Sequence, residues 1–332
     1  MSIIIRNFLN KGHNKSLIIK KQIVNILLLI IIFLIPIFFR NDFYAGILFQ
    51  VLLWAGLSGA WNLLGGYGGQ FSLCHITFFG IGAYTSTLLE INFSISPWFG
   101  ILIGASLSSI IGMFLGAICF KLKGHFFTLA TLAFGQIVYI IALSWKSLTN
   151  GSEGLLIMEK QGFSHMIFSS KLPYVYLALI FMLLVYIISL YMEHSVLGYS
   201  LMAYRENDEA ARSIGINTFK ARVITSGISA FLMAVGGTIY AQYMYYIDPD
   251  SVFVIFLSVQ VALIAIIGGL GQSLGPILGS FLIIPLSQLL RGWLGSSISG
   301  LYLIIYGIIL IVVLLNIPKG ILSKVKLLQI KK

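Results

Sequence analysis

Apolar runs long enough to cross a bilayer recur along almost the whole chain, separated by short polar or glycine-rich stretches. A span needs about 20 apolar residues, from ~30 Å of hydrocarbon at ~1.5 Å rise per residue. The pattern predicts membrane helices near residues 23–39, 43–64, 71–89, 98–120, 125–144, 173–192, 222–243, 252–269, 276–290 and 299–316. The first run follows a basic stretch holding Arg6, Lys11, Lys15, Lys20 and Lys21. It closes on Pro36, Ile37, Phe38, Phe39 and Arg40 without the small-residue cleavage site of a signal peptide, so it reads as a retained span. Two longer polar segments interrupt the series. Trp145–Lys171 contains the turn-forming cluster Asn150–Gly154, and Glu193–Ala221 is the most charged part of the chain away from its ends.

Composition agrees with a polytopic all-α membrane protein. Of the 332 residues 58% are hydrophobic and 9% charged, against about 25% charged in ordinary soluble domains. The mean hydropathy is +0.98. A net charge of +11 on a soluble fold would raise the question of nucleic acid. Here the basic residues fall in short segments between apolar runs, a pattern that sets orientation and calls for no nucleic acid partner. With ten spans and both ends inside, 16 of the 21 Lys and Arg residues are cytoplasmic and 5 are outside. Reversing the chain inverts that bias. The expected organisation is a basic cytoplasmic segment over 1–22, a transmembrane domain over 23–316 with its inner loop at 193–221, and a basic cytoplasmic tail over 317–332.

The inner loop reads as a short helix. Asn207 or Asp208 supplies the N-cap, Glu209 favours the first turn, Ala210 and Ala211 are strong helix formers, and Arg212 suits the last turn. Gly215 then offers a left-handed stop. About two turns of helix are marginal alone in water, so something is expected to pack on them. A second inner feature is Gly65, Gly66, Tyr67, Gly68, Gly69 and Gln70. It lacks the Lys-Ser/Thr of a phosphate loop. It is either a tight turn or a broken helix lining a path, where unwound backbone is tolerated. Gly80 and Gly82 leave a small-residue face for close helix contact. Gly268–Gly275 is a matching glycine-rich turn, with Pro276 placed to start the next helix. Lys121 and Lys123 read as inner-face anchors. His75 and His125 lack partners at ligand spacing, so neither points to a metal site. Cys74 and Cys119 lie in or beside apolar runs and read as small buried residues.

The acidic residues Asp42, Glu90, Glu153, Glu159, Asp248 and Asp250 are expected at or outside the outer span ends, and the other four lie in 193–221. No carboxylate and no Lys or Arg is expected at mid-membrane, where a proton-coupled carrier usually needs one. No nucleophile–base pair suggests an enzyme. The lack of a mid-membrane charge counts against an autonomous carrier, with sodium sites built from backbone carbonyls left open; if the chain moves something uphill, a partner acting through the inner helix is the expected source of energy.

Together these clusters resemble the LivM-type permeases of branched-chain amino acid ABC importers. The resemblance is carried in collinear order, from about residue 45 to 316, by Asn62–Tyr84 (NLLGGYGGQFSLCHITFFGIGAY), Gly124–Phe134 (GHFFTLATLAF), Thr149–Gly154 (TNGSEG), Arg205–Ala211 (RENDEAA) and Gly215–Asn217 (GIN). Cys74 departs from it, since relatives commonly have glycine there. The resemblance implies a non-catalytic subunit of the bacterial cytoplasmic (inner) membrane. Its implied partners are a homologous second permease, two cytoplasmic ABC ATPases and a periplasmic or extracellular solute-binding protein. No cofactor is expected on this chain, with ATP and Mg held by the ATPases. Arg205, Glu206, Asn207, Asp208, Glu209, Ala210, Ala211 and Gly215 would form the coupling helix docked on an ATPase. The path candidates are Gly65, Gly66, Tyr67, Gly68, Gly69, Gln70, His75, Tyr84, His125 and Gln136. The implied cargo is leucine, isoleucine or valine. Urea or short amides carried by the same type of permease, or a self-sufficient carrier or channel, are the alternatives. The basic ends are less typical of the family and suit anionic lipid.

Overall fold

The computed structural model describes residues 41–122, 124–157, 162–294, 307–308, 315 and 320–322. Within them, eight helices fall where eight of the ten runs predict spans. They are α1 (Asp42–Asn62, prolonged by a π-helical turn, Leu63–Tyr67), α2 (His75–Phe93), α3 (Pro97–Cys119), α4 (His125–Ser144), α5 (Leu172–Glu193), α8 (Thr218–Met244), α9 (Ile255–Gly268) and α10 (Gly275–Leu294). Two short helices, α6 (Val196–Glu206) and α7 (Asp208–Ser213), join α5 to α8. The expected span at 23–39, nearly all of that at 299–316, and both basic ends lie outside the described residues. Six described segments are long and apolar enough to cross a membrane, so the chain is a multi-pass all-α membrane protein. The segments at α2 and α10 are not among the six. For α2 the reason is visible: its Thr77, Ser86, Thr87 and Glu90 are shielded inside the bundle, where a helix need not be apolar.

Local sequence sets the helix ends. The Asn41 side chain accepts from the Phe43 amide to cap α1, and the Asn217 side chain accepts from the Lys220 amide to cap α8. Pro97 opens α3, and Pro173 lies in the first turn of α5, positions that need no amide donor.

The centre of the fold is α8, packed on α3 and α2, while α1 packs on α5 and α10. The α2–α8 crossing depends on glycine. A Cβ on Gly82 would collide with the backbone of Ala234, and one on Gly237 with the backbone of Phe79, so the small-residue face at Gly80 and Gly82 is a site of close helix contact. Buried hydroxyls tie helices together through carbonyls: Ser226 donates to Gly112 at 2.8 Å, Ser280 to Val51 at 2.6 Å and Ser58 to Val261 at 2.9 Å. By contrast α4 lies at the rim: only its Phe127, Thr131 and Ala142 are buried, whereas most of α8 is. Phe126, Leu129, Ile137 and Ile140 of α4 point outward with Phe114 and Ile110 of α3, an apolar surface suited to a bilayer.

The connections alternate between the two ends of the bundle. At one end lie both glycine-rich turns together with Phe120, Gly124 and α6–α7. At the other, β1 (Leu155–Leu156) pairs antiparallel with β2 (Tyr246–Ile247), and the Trp98 indole donates to the Phe163 carbonyl. Glu90 lies in the last turn of α2, at the span end where it is expected, but turned inward: it is fully buried, and its Oε2 accepts from Gln242 Nε2 at 2.7 Å. A carboxylate is tolerated there because a buried amide donates to it and His165 Nδ1 lies 3.7 Å from its other oxygen.

Candidate functional site

The glycine-rich end is built around two turns about 200 residues apart in sequence. After Asn62 the first does not break at once. It widens into the buried π turn Leu63–Tyr67 and then unwinds over residues 68–74. Such turns interrupt the regular hydrogen-bond ladder and recur at functional sites. Trp61 Nε1 donates to the Ser72 carbonyl at 2.8 Å, folding the unwound stretch back against α1. From α4, Thr128 Oγ1 donates to the Phe71 carbonyl at 2.8 Å, and Thr131 Oγ1 accepts from the Leu73 amide at 3.1 Å.

The second turn, Gly269–Leu274, sits directly on the first. A Cβ on Gly66 would meet the Gly271 amide nitrogen at 2.6 Å, so only glycine permits this contact. Asn62, fully buried, bridges the two turns: its Oδ1 accepts from the Gly271 amide at 3.0 Å and its Nδ2 donates to the Gln272 carbonyl at 3.2 Å. Glu193, at the end of α5, makes a second bridge. One carboxylate oxygen accepts both from the Tyr67 hydroxyl at 3.0 Å and from the Ser273 amide at 2.8 Å.

The α6–α7 segment meets this assembly. Arg205 Nη1 donates to the Gly66 carbonyl at 2.8 Å, and Gln70 Nε2 donates to the Tyr204 hydroxyl at 2.5 Å. The Tyr204 ring lies 4.0 Å from the guanidinium carbon of buried Arg222, which also faces Phe120 at 5.0 Å. Beyond Glu206 the chain turns through Asn207, whose Oδ1 accepts from the Glu209 and Ala210 amides, each at 3.0 Å. Asp208 and Glu209 occupy the first turn of α7, Arg212 the last, and Gly215 leaves with φ +87°. Arg212 pairs with Asp208 at 2.9 Å, and Asp208 also accepts from Thr218 at 2.7 Å, fastening α7 to the start of α8. Glu206, Glu209 and Ala210 face outward, whereas Ala211 is buried beneath the helix.

These contacts sort the path candidates into separate places. Gly68, Gly69, Gln70 and His125 line a cavity of about 380 Å³ together with Tyr204 and Arg205. Gly65, Gly66 and Tyr67 are buried in the π turn and do not line it. His75 is a satisfied internal residue, with Nδ1 3.0 Å from Ser72 Oγ and Nε2 2.9 Å from Ser229 Oγ. Tyr84 stacks on Phe253 with ring centroids 5.5 Å apart, and its hydroxyl is buried without a partner among the described residues. Gln136 is half-buried on α4 and is not part of the cavity wall. Among the described residues no three of His, Cys, Asp and Glu gather as metal ligands, and both cysteines are buried thiols. Sequence reasoning overlooked Asn62, Glu193, Tyr204 and Arg222 as members of the site. A signal existed for two of them: Asn62 is a polar residue inside an apolar run, and Glu193 ends one.

The all-α multi-pass bundle defines the class as a polytopic membrane protein, and comparison with known proteins gives the family. Residues 43–314 match the family described as branched-chain amino acid transport system / permease component, and the chain belongs to that family. It is 26% identical over 290 residues to the high-affinity branched-chain amino acid transport system permease protein LivM of Escherichia coli, covering 80% of this chain and 64% of that protein. A probable LivM permease of Methanocaldococcus jannaschii is 22% identical over 280 residues, covering 77% of this chain and 81% of that one. A LivH permease of Salmonella typhimurium is 28% identical over 133 residues, 40% of this chain and 42% of its own. The chain thus spans somewhat less than two thirds of the Escherichia coli relative's length. No solved structure matches.

Proposed function

We propose that this chain is the membrane-spanning subunit of an ATP-driven importer and forms, with a homologous second permease, the path for leucine, isoleucine and valine. The reading is supported by family membership and by the cargo named for the relatives. One structural observation supports the dependence on ATP: a capped helix of six residues, α7, turns Glu209 and Ala210 outward, with Glu206 of α6 beside them, while Arg205 and Tyr204 of α6 root the segment in the glycine-rich turns. A helix this short has little stability of its own, and an outward polar face on a membrane protein suits a soluble partner. That partner is a cytoplasmic ATPase. Two ATPases supply ATP and Mg, a solute-binding protein delivers cargo at the opposite end, and the chain contributes no chemical step. Both chain ends are cytoplasmic in this arrangement, and the membrane is the bacterial inner membrane.

The mechanism is alternating access. ATP binding draws the ATPases together and displaces α7. The displacement shifts the bundle so that its path opens toward the binding protein, and hydrolysis returns it. The chain co-expressed with its permease partner and ATPases is expected to copurify with them in detergent, and cargo-loaded binding protein is expected to raise ATP turnover several-fold. A chain that neither retains the ATPases nor alters their turnover would overturn the assignment.

A further inference from the structure

We infer that the two glycine-rich turns and α6 move as one body, with Glu193 and Arg205 as the positioning residues that carry a displacement of α7 to the π turn at Leu63–Tyr67. The inference rests on the proposed function, which supplies the displacement.

Continuity is the first argument. Only Asn207 separates α6 from α7, and its side chain caps α7, so a push on α7 enters α6 at Arg205 and Tyr204. Arg205 ends on the Gly66 carbonyl, in the π turn, through a hydrogen bond from an ionised donor, the stronger kind. Separation would strand that carbonyl in a buried setting, so the turn follows the arginine.

The second argument is that neither turn can follow alone. Asn62 and Glu193 each bridge both turns, and the backbone contact between Gly66 and Gly271 leaves no slack. Glu193 is the telling member. It closes α5, one of the apolar spans, and holds both turns through a single oxygen. A helix spanning the bilayer is thereby fixed to the same body that α6 moves.

The test uses the whole complex, with both permeases, the ATPases and the binding protein, in proteoliposomes. Glu193→Ala removes both acceptor bonds, whereas Glu193→Gln keeps a carbonyl oxygen able to accept from Tyr67 and Ser273. Amino acid imported per ATP hydrolysed is expected to fall about tenfold in Glu193→Ala, a usual size for a lost coupling between sites, while subunits still copurify. Glu193→Gln is expected to restore most of the ratio. Should Glu193→Ala not assemble, Tyr67→Phe deletes only the bond to the first turn and is expected to lower the same ratio. An unchanged ratio in Glu193→Ala or Tyr67→Phe would overturn the linkage while leaving the importer reading intact. So would a Glu193→Gln complex as uncoupled as Glu193→Ala. A wild-type complex without ATP-driven import would remove the importer reading, and the linkage with it.

Discussion

Gly215→Pro is expected to leave ATP turnover in the assembled complex insensitive to loaded binding protein, and Glu209→Lys is expected to do the same. The two substitutions reach that result by different routes. Gly215 has φ +87°, and its amide donates to the Arg212 carbonyl at 3.0 Å as the chain leaves α7. Proline fixes φ near about −65° and has no amide hydrogen, so it can adopt neither feature. The exit of α7 must rearrange. Gly215→Ala is the control: no atom lies within 4 Å of a Cβ there, so the cost is only the backbone preference, about 1–2 kcal/mol. Glu209 is exposed in the first turn, where reversing its charge costs the helix about 0.3–1 kcal/mol. That is too little to unfold α7, so loss of stimulation in Glu209→Lys would report on the partner surface. Stimulated turnover at the wild-type level in Gly215→Pro would refute a coupling role for α7.

Asn62→Leu is expected to give the largest loss of stability among single changes at the site. Leucine has the same forked outline, is bulkier and has no polar atom. It leaves the half-buried Gly271 amide and Gln272 carbonyl without their side-chain partner; a fully buried orphan costs about 1–3 kcal/mol, and these two fall at the lower end. Two such groups amount to roughly 2 kcal/mol, and overpacking by the larger side chain adds about 1–3 kcal/mol, together a large share of the ~5–15 kcal/mol by which a domain is stable. The thermal midpoint of the purified complex should fall by several degrees or more, read by intrinsic fluorescence in detergent. Asn62→Asp keeps one acceptor for the Gly271 amide but loses the donor to Gln272, and an intermediate midpoint is expected. Equal midpoints for wild type and Asn62→Leu would show that the two turns are held apart from this residue.

Much of the helical layout was legible in the sequence because a bilayer demands runs of fixed length and polarity. Eight predicted spans lie on helices within a few residues. The capped helix after Asn207 was equally legible, since its cap, first-turn acids and exit glycine are all local signals. What could not be read was contact between distant residues. Gly66 and Gly271 look alike in sequence, but nothing local says that their backbones touch or that Arg205 closes over them. Glu90 shows the same limit. Its charge suggested a span end, and only the tertiary placement of Gln242 explains how it stays buried inside the bundle. His75 and Gln70 came from one motif, yet the first is an internal strut and the second lines the cavity. A motif marks residues that matter together without saying where each one points.

The account turns on whether transport through this chain is driven by ATPases acting at its glycine-rich end. The direct measurement is uptake of radiolabelled leucine into proteoliposomes carrying the complete complex, with binding protein outside and ATP enclosed. Uptake is predicted to require ATP, the binding protein and an intact α7, and to vanish when the chain is reconstituted alone. Leucine flux through the chain by itself, without ATPases or nucleotide, would contradict the account.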